Sequence, residues 1–288
     1  MKEVVKNSIF ELLKYGKEKL KENEIESYAI DTELFIMFAT GFNKTEIFTK
    51  IEYSLTEKEF KIFEDCIFKR ISGIPSQYII GKCEFMSLNF IVNNNVLIPR
   101  CDTEILVETA LDYIKKNNIK TVLDIGTGSG CIPISLCKYS DVRCTSVDIN
   151  IKALEVAKEN AKINSVFDRI NFIESDIFQN VNEKFDMIIS NPPYIPSKDI
   201  QNLMTEIKDN EPITALDGGL DGLDFYKKIV FESRNYLNNN GFIIFEIGYD
   251  QAKEVSNILK NSFKNIKVFK DLANLDRVVL GQIGENYV

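Results

Sequence analysis

The sequence of 288 residues contains no histidine and no tryptophan. Without imidazole, a serine or cysteine nucleophile activated by histidine is excluded, and so is a histidine-ligated zinc. Long hydrophobic runs are missing too. Stretches such as Leu34–Thr40 and Phe242–Phe245 stop far short of the roughly 20 residues that span a bilayer. The six cysteines, at positions 66, 83, 101, 131, 137 and 144, form no C-x-x-C pair. They are expected to be reduced thiols packing as small hydrophobes, and no metal site is expected. Positive charge is in deficit, with 35 Lys and Arg against 43 Asp and Glu and a net charge of −8. The deficit is shared: 14 basic and 17 acidic residues in 1–104, 21 and 26 in 105–288. Neither part offers the cationic excess that duplex nucleic acid usually demands.

What is present is ordinary globular chemistry. An apolar fraction of 44% and a charged fraction of 27% exclude disorder for most of the chain, and the length predicts about two domains. The amino-terminal stretch MKEVVKNSIFELLKYGKEKLKENEIE mixes acids with bases and has no apolar leader core. It reads as a folded helix, and the chain is expected to stay in the cytoplasm.

Residues 1–75 read as helical. Ile9, Leu12, Leu13 and Leu20, then Leu34, Phe35, Met37 and Phe38, recur at the spacing of an amphipathic helix. Thr56 and Glu59 form a capping box ahead of Phe60, Phe63, Ile67 and Ile71, and Gly73 and Pro75 stop that helix. This segment is expected to be a small helical domain that recognises the substrate. From Phe85 the period changes to that of strands. FMSLNFIV, an Asn93-Asn94-Asn95 turn and VLIP predict a β-hairpin linking two domains over 76–104.

Residues 105–288 alternate strand with helix. TVLDI (121–125), RCTSV (143–147), INFI (170–173), FDMIIS (185–190), GFIIFEI (241–247) and RVVLGQ (277–282) predict strands. Helices are expected at 131–138, 151–163, 222–239 and 249–262. Such alternation predicts an α/β, Rossmann-like domain with a mostly parallel sheet, which binds ligands beyond the carboxyl ends of its strands.

Two motifs follow strands directly. Asp124-Ile125-Gly126-Thr127-Gly128-Ser129-Gly130 opens a helix, and its glycines let the backbone pass close to a ligand. Asp148 ends the next strand, where an acid accepts hydrogen bonds from a ribose diol. Loop, helix start and spaced acid together point to a nucleoside-bearing cofactor. The second motif, Asn191-Pro192-Pro193-Tyr194, ends the strand FDMIIS. Its prolines fix the backbone, so the Asn191 side-chain oxygen and the Pro192 carbonyl can both accept from one NH2 group. Tyr194 offers a ring face or hydroxyl against a planar group. The two motifs together predict S-adenosylmethionine-dependent methylation of an amide or exocyclic amine nitrogen.

The chain resembles the release-factor glutamine methyltransferases, the PrmC/HemK family. Asn191-Pro192-Pro193-Tyr194 alone does not decide this, because amino-methylating DNA adenine enzymes share it. The resemblance rests on the rest of the chain: Ile74-Pro75-Ser76-Gln77-Tyr78-Ile79-Ile80-Gly81, Val96-Leu97-Ile98-Pro99-Arg100 and Thr103-Glu104. It continues through Glu211-Pro212, Ala215-Leu216, Gly218-Gly219, Asp221-Gly222-Leu223 and Glu246-Ile247-Gly248. It implies a class I methyltransferase domain behind a helical domain, with peptide chain release factors as protein substrate and the glutamine of their Gly-Gly-Gln motif as acceptor.

By that resemblance, Gly126, Thr127, Gly128, Ser129 and Gly130 wrap the methionine and ribose of the cofactor, and Asp148 takes the ribose hydroxyls. Asn191, Pro192, Pro193 and Tyr194 bind the glutamine. Asn191, Pro192 and Tyr194 are the catalytic set, with Asn191 also near the methyl donor. Many relatives place an aromatic against the adenine after Ser175-Asp176; here the positions read Ile177-Phe178, and Phe178 is the expected contact over Ile177. Cys101-Asp102 stands where the family usually has Pro-Glu, and Asp keeps the carboxylate. A monomer is expected, with no membrane and no direct nucleic-acid partner. The alternative reading is methylation of adenine N6 in nucleic acid, which needs base flipping into the same pocket.

Overall fold

The computed structural model describes residues 7–284. Residues 1–6, part of the stretch expected to be helical, lie outside the described residues. The amino-terminal elements are α1 (Ile9–Glu22), α2 (Tyr28–Thr40), α3 (Lys44–Thr49), α4 (Glu57–Ile71) and α5 (Ser76–Ile80). Next come β1 (Lys82–Phe85), β2 (Leu88–Ile91), α6 (Cys101–Asn117), β3 (Thr121–Ile125), α7 (Cys131–Tyr139), β4 (Arg143–Asp148) and α8 (Ile151–Ile163). The remainder is β5 (Ile170–Glu174), β6 (Phe185–Ser190), a single turn α9 (Thr205–Lys208), α10 (Asp224–Ser233), β7 (Leu237–Glu246), α11 (Ala252–Lys260), β8 (Phe263–Lys270) and β9 (Asp276–Ile283).

The chain divides into two compact units, Met1–Gly81 with Thr205–Asn210, and Lys82–Met204 with Glu211–Val288. In the first, Ser8 caps α1, and the capping boxes Asn43/Glu46 and Thr56/Glu59 start α3 and α4. Leu12, Phe35, Ile36 and Phe63 form its buried core. Gly16 lets α1 approach α2 and α4, since a Cβ there would lie 2.6 Å from Thr32 Cγ2 and 3.1 Å from Phe63 Cζ. The buried Arg70 guanidinium pairs with Asp31 at 2.7 Å and with Glu206, so a segment distant in sequence is held by charge.

The second unit carries a seven-stranded sheet in the order β5-β4-β3-β6-β7-β9-β8. The first five strands are parallel, β9 runs antiparallel to β7, and β8 antiparallel to β9. Alternate residues feed separate apolar clusters: Met187, Ile189 and Ile244 enter one, Leu123, Ile188 and Ile243 the other. That is the period of a sheet covered on both faces. The α/β architecture read from the sequence is the one the chain adopts.

Several local expectations are corrected. The hairpin turns at Met86-Ser87, both with positive φ (50° and 57°), not at the asparagines. Tertiary contacts hold this unpromising turn: the Met86 amide donates to Glu104 Oε1 at 2.6 Å, and Tyr139 Oη donates to the Met86 carbonyl at 2.5 Å. Asn93 makes a local turn of its own by accepting from the Asn95 amide, and Val96–Pro99 carries no strand. Helix α10 ends at Ser233, short of the expected 239, because Leu237 pairs with Phe185 as the chain enters β7. Strand β8 was not expected from the sequence. Its lysine-rich, mostly exposed pattern is that of a protected sheet edge.

Candidate active site

The switch point of the sheet lies between β3 and β6, where the chain returns to the other side of β3 after forming β4 and β5. Ile125 and Ser190 are paired in register there, and Ser190 Oγ donates to the Ile125 carbonyl at 2.7 Å. The residues following each, the glycine loop and Asn191-Pro192-Pro193-Tyr194, therefore emerge side by side. Gly126 and Gly128 of the first, Asn191, Pro192 and Pro193 of the second, and Asp148 border a cavity of about 520 Å3 in the second unit.

The loop is built from backbone hydrogen bonds. Gly126 and Thr127 amides donate to the Val147 carbonyl at 2.9 and 3.0 Å, and the Gly128 amide donates to Asp148 Oδ2 at 2.9 Å. Gly130, at φ +80°, begins α7 where a Cβ would lie 2.9 Å from Ile134 Cδ1 and 3.0 Å from Ala157 Cβ. Gly126, Gly128, Asp148, Asn191, Pro192 and Pro193 line the cavity. Thr127 and Ser129 are buried within the loop; the Ser129 carbonyl accepts from the Asn160 amide group at 2.9 Å. Tyr194 borders a neighbouring cavity of about 460 Å3 instead. Burial pushes its hydroxyl up to about 12, so it stays protonated.

The second motif is held from behind by glycines. A Cβ on Gly218 would sit 2.8 Å from the Pro193 carbonyl oxygen, and one on Gly222 would sit 2.3 Å from that of Tyr194. Gln251 Nε2 donates to the same Tyr194 oxygen at 3.0 Å. The side chain of Asn191 donates from Nδ2 to Thr103 Oγ1 at 3.3 Å. Asp102, beside it on α6, pairs with Arg277 at 3.1 Å, and Arg100 pairs with the buried Glu211.

The expected adenine contact is corrected. Phe178 is 1% exposed and stacks in the core on Tyr236, with ring centroids 4.4 Å apart, and it does not reach the cavity. Ile177 lines the cavity instead, at φ +52°, a backbone conformation rare for a β-branched residue. Consecutive residues face opposite ways there, which a motif offset does not resolve.

Three polar residues carry environments that the motifs alone did not single out. Asp124 is fully buried at the end of β3; neither carboxyl oxygen has a hydrogen-bond partner, and burial pushes it up to about 7. Thr103 and Glu246, each 2% exposed, lie against Asn191. Their signal in the sequence was a polar residue inside an otherwise buried element.

The residues present fit S-adenosylmethionine. Positive-φ glycines at the cavity admit a close ligand, and Asp148 retains acceptor capacity for hydroxyls. The family model "Methyltransferase small domain" matches residues 102–275, and "PrmC N-terminal domain" matches 11–81. A methyltransferase from Pyrococcus furiosus aligns over 69% of this chain and 91% of its own, with TM-score 0.50 and 18% identity. The hMettl16 catalytic domain aligns over 70% of this chain and 77% of its own, with TM-score 0.55 and 16% identity. At such identities the likeness establishes the fold alone.

Fold, paired loops and family model define an S-adenosylmethionine-dependent methyltransferase of the Rossmann-like class. The relatives make the assignment narrower. A Clostridium acetobutylicum protein named release factor glutamine methyltransferase is 44% identical over 92% of this chain and 95% of its own. Its namesake from Clostridium botulinum is 41% identical over 93% and 97%. This chain belongs to the release factor glutamine methyltransferase family.

Proposed function

We propose that the protein transfers a methyl group from S-adenosylmethionine to the side-chain amide nitrogen of the glutamine in the Gly-Gly-Gln motif of peptide chain release factors. The observation that carries this reading is the in-register pairing of Ile125 with Ser190, which sets a glycine loop beside Asn191-Pro192-Pro193 at one cavity.

In this reading Gly126 to Gly130 and Asp148 hold the cofactor, which when bound supplies an electrophilic methyl group on a sulfonium. The chain's own task is to make a poor nucleophile react, because an amide nitrogen delocalises its lone pair into the carbonyl. Asn191 Oδ1 and the Pro192 carbonyl accept from the substrate NH2, fix its position and favour the geometry in which the lone pair localises. The proton leaves to solvent once charge has developed on nitrogen, so no strong base is needed.

The helical unit is assigned to gripping the protein substrate; the match to "PrmC N-terminal domain" and the exposed apolar side chains Phe10, Ile30 and Phe68 support this. In this reading the protein acts as a monomer in the cytoplasm; no helix among the described residues is long and apolar enough to cross a membrane. The net charge of −8 weighs against nucleic acid as substrate.

The test is methyl transfer from labelled S-adenosylmethionine to intact release factor, beside a variant with the motif glutamine changed to alanine. Label is expected on the wild type and not on the variant. Label on DNA or RNA instead would overturn the reading in favour of adenine methylation.

A further inference from the structure

Thr103 and Glu246 come from opposite ends of the second unit's sequence, yet both are buried beside Asn191. Thr103 stands in the first turn of α6. Glu246 is the last residue of β7, fixed by pairing with Val278 on β9, and its carbonyl accepts from Tyr226 Oη at 2.9 Å. Asn191 Nδ2 donates to Thr103 Oγ1 at 3.3 Å. The Glu246 side chain is buried, hydrogen bonding from Thr103 and Asn191 favours its ionised form, and its Oε2 has no hydrogen-bond partner.

The proton count of these groups decides their orientation. A hydroxyl has one proton and two acceptor lone pairs, and an ionised carboxylate can only accept. Thr103 therefore turns its proton toward Glu246 and offers only lone pairs to Asn191. Only the NH2 end of the Asn191 carboxamide can face such a partner, so Oδ1 takes the opposite side. Asn191 lines the cavity, where an oxygen accepts from an incoming NH2 group, whereas a flipped carboxamide would oppose donor to donor.

We infer that Thr103 and Glu246 are positioning residues: the Glu246 carboxylate orients the Thr103 hydroxyl, and the two hold the Asn191 carboxamide with Oδ1 presented to an NH2-bearing substrate. This rests on the reading above that Asn191 receives the glutamine amide. Burial pushes Glu246 up to about 7. Thr103 and Asn191 favour its ionised form by hydrogen bonding and Arg277 on β9 by its charge, while Asp102 on α6 opposes it. Tyr194, Tyr226 and Cys131 are the other titratable groups that feel its charge. When the carboxyl is protonated it becomes a donor, the Thr103 proton is released, and the carboxamide loses its fixed sense. Turnover should therefore fall as pH drops below about 7.

The experiment compares wild type with Thr103→Val, Thr103→Ser and Glu246→Gln, using labelled S-adenosylmethionine and intact release factor across pH, with cofactor Kd and Tm measured alongside. Thr103→Val is expected to lower kcat by about tenfold to a hundredfold, the scale of a misplaced reacting group, with cofactor Kd unchanged. Thr103→Ser should restore kcat. Glu246→Gln should lower kcat and remove the acid limb of the profile. Wild-type kcat in Thr103→Val, or an unaltered acid limb in Glu246→Gln, would overturn the inference. If Thr103→Val does not fold, the Glu246→Gln profile decides alone. A wild-type enzyme that labels no release factor would instead overturn the proposed function.

Discussion

The amide of Gly128 donates to Oδ2 of Asp148 at 2.9 Å, while Oδ1 of the same carboxylate accepts from the Asn150 amide at 2.8 Å. One side chain thereby ties the glycine loop after β3 to the start of the helix after β4. Replacing Asp148 with alanine removes this tie together with an acceptor for cofactor hydroxyls. Hydrogen bonds to a charged group contribute about 1.5–3 kcal/mol, so cofactor Kd should rise by about tenfold to a hundredfold. Calorimetric titration with S-adenosylmethionine checks this; an unchanged Kd would remove Asp148 from the cofactor site.

Asn191→Ala is expected to lower kcat by about a hundredfold, the scale seen when a positioned polar group at a reacting centre is deleted. Cofactor affinity should fall far less. Single-turnover methyl transfer to release factor gives the first quantity and equilibrium binding the second. Wild-type turnover would refute the assigned role.

Asp124 is pushed up to about 7 by burial, from about 4 in an unfolded chain. The folded form therefore binds the extra proton between those values. Its contribution to stability is fully present below about pH 4 and is lost as pH rises through about 7. Asp124→Asn should accordingly raise Tm relative to wild type at pH 8, with a gap that narrows toward pH 5. At 1.36 kcal/mol per pKa unit the gain is a few kcal/mol at most. A Tm that drops at pH 8 would contradict this account.

Arg70 and Asp31 form an ion pair at 2.7 Å with side chains only 8% and 4% exposed. Breaking a buried pair leaves an uncompensated charge, at a cost of about 3–5 kcal/mol. Arg70→Met is expected to destabilise the helical unit by that order, and Asp31→Asn combined with it should recover part of the loss. Urea unfolding of the single and double variants measures the coupling; additive effects would show that the pair is not what holds Arg70.

The capping box of Thr56 and Glu59, the glycine loop and the alternation of strand and helix were legible because each rests on residues adjacent in sequence. TVLDI and FDMIIS are mostly apolar runs of the kind a doubly covered strand takes, and Asn191-Pro192 must leave a strand because proline cannot continue one. Motif and element together placed the carboxyl ends of β3 and β6 as the reactive edge.

What the sequence alone left open depends on partners far along the chain. The turn at Met86-Ser87 adopts positive φ because Glu104 and Tyr139 hold it. Thr205–Asn210 interrupts the methyltransferase segment yet belongs to the helical unit, where Glu206 pairs with Arg70 and the Asn210 side chain donates to the Gly73 carbonyl at 3.0 Å. Phe178 was drawn from the cavity into the core by stacking on Tyr236. The sequence determined the fold class and the two loops that meet at the site, because periodicity and steric limits act locally. Which polar groups surround Asn191 was decided by the tertiary structure, since residues 103, 191 and 246 become neighbours only after α6, β6 and β7 have packed.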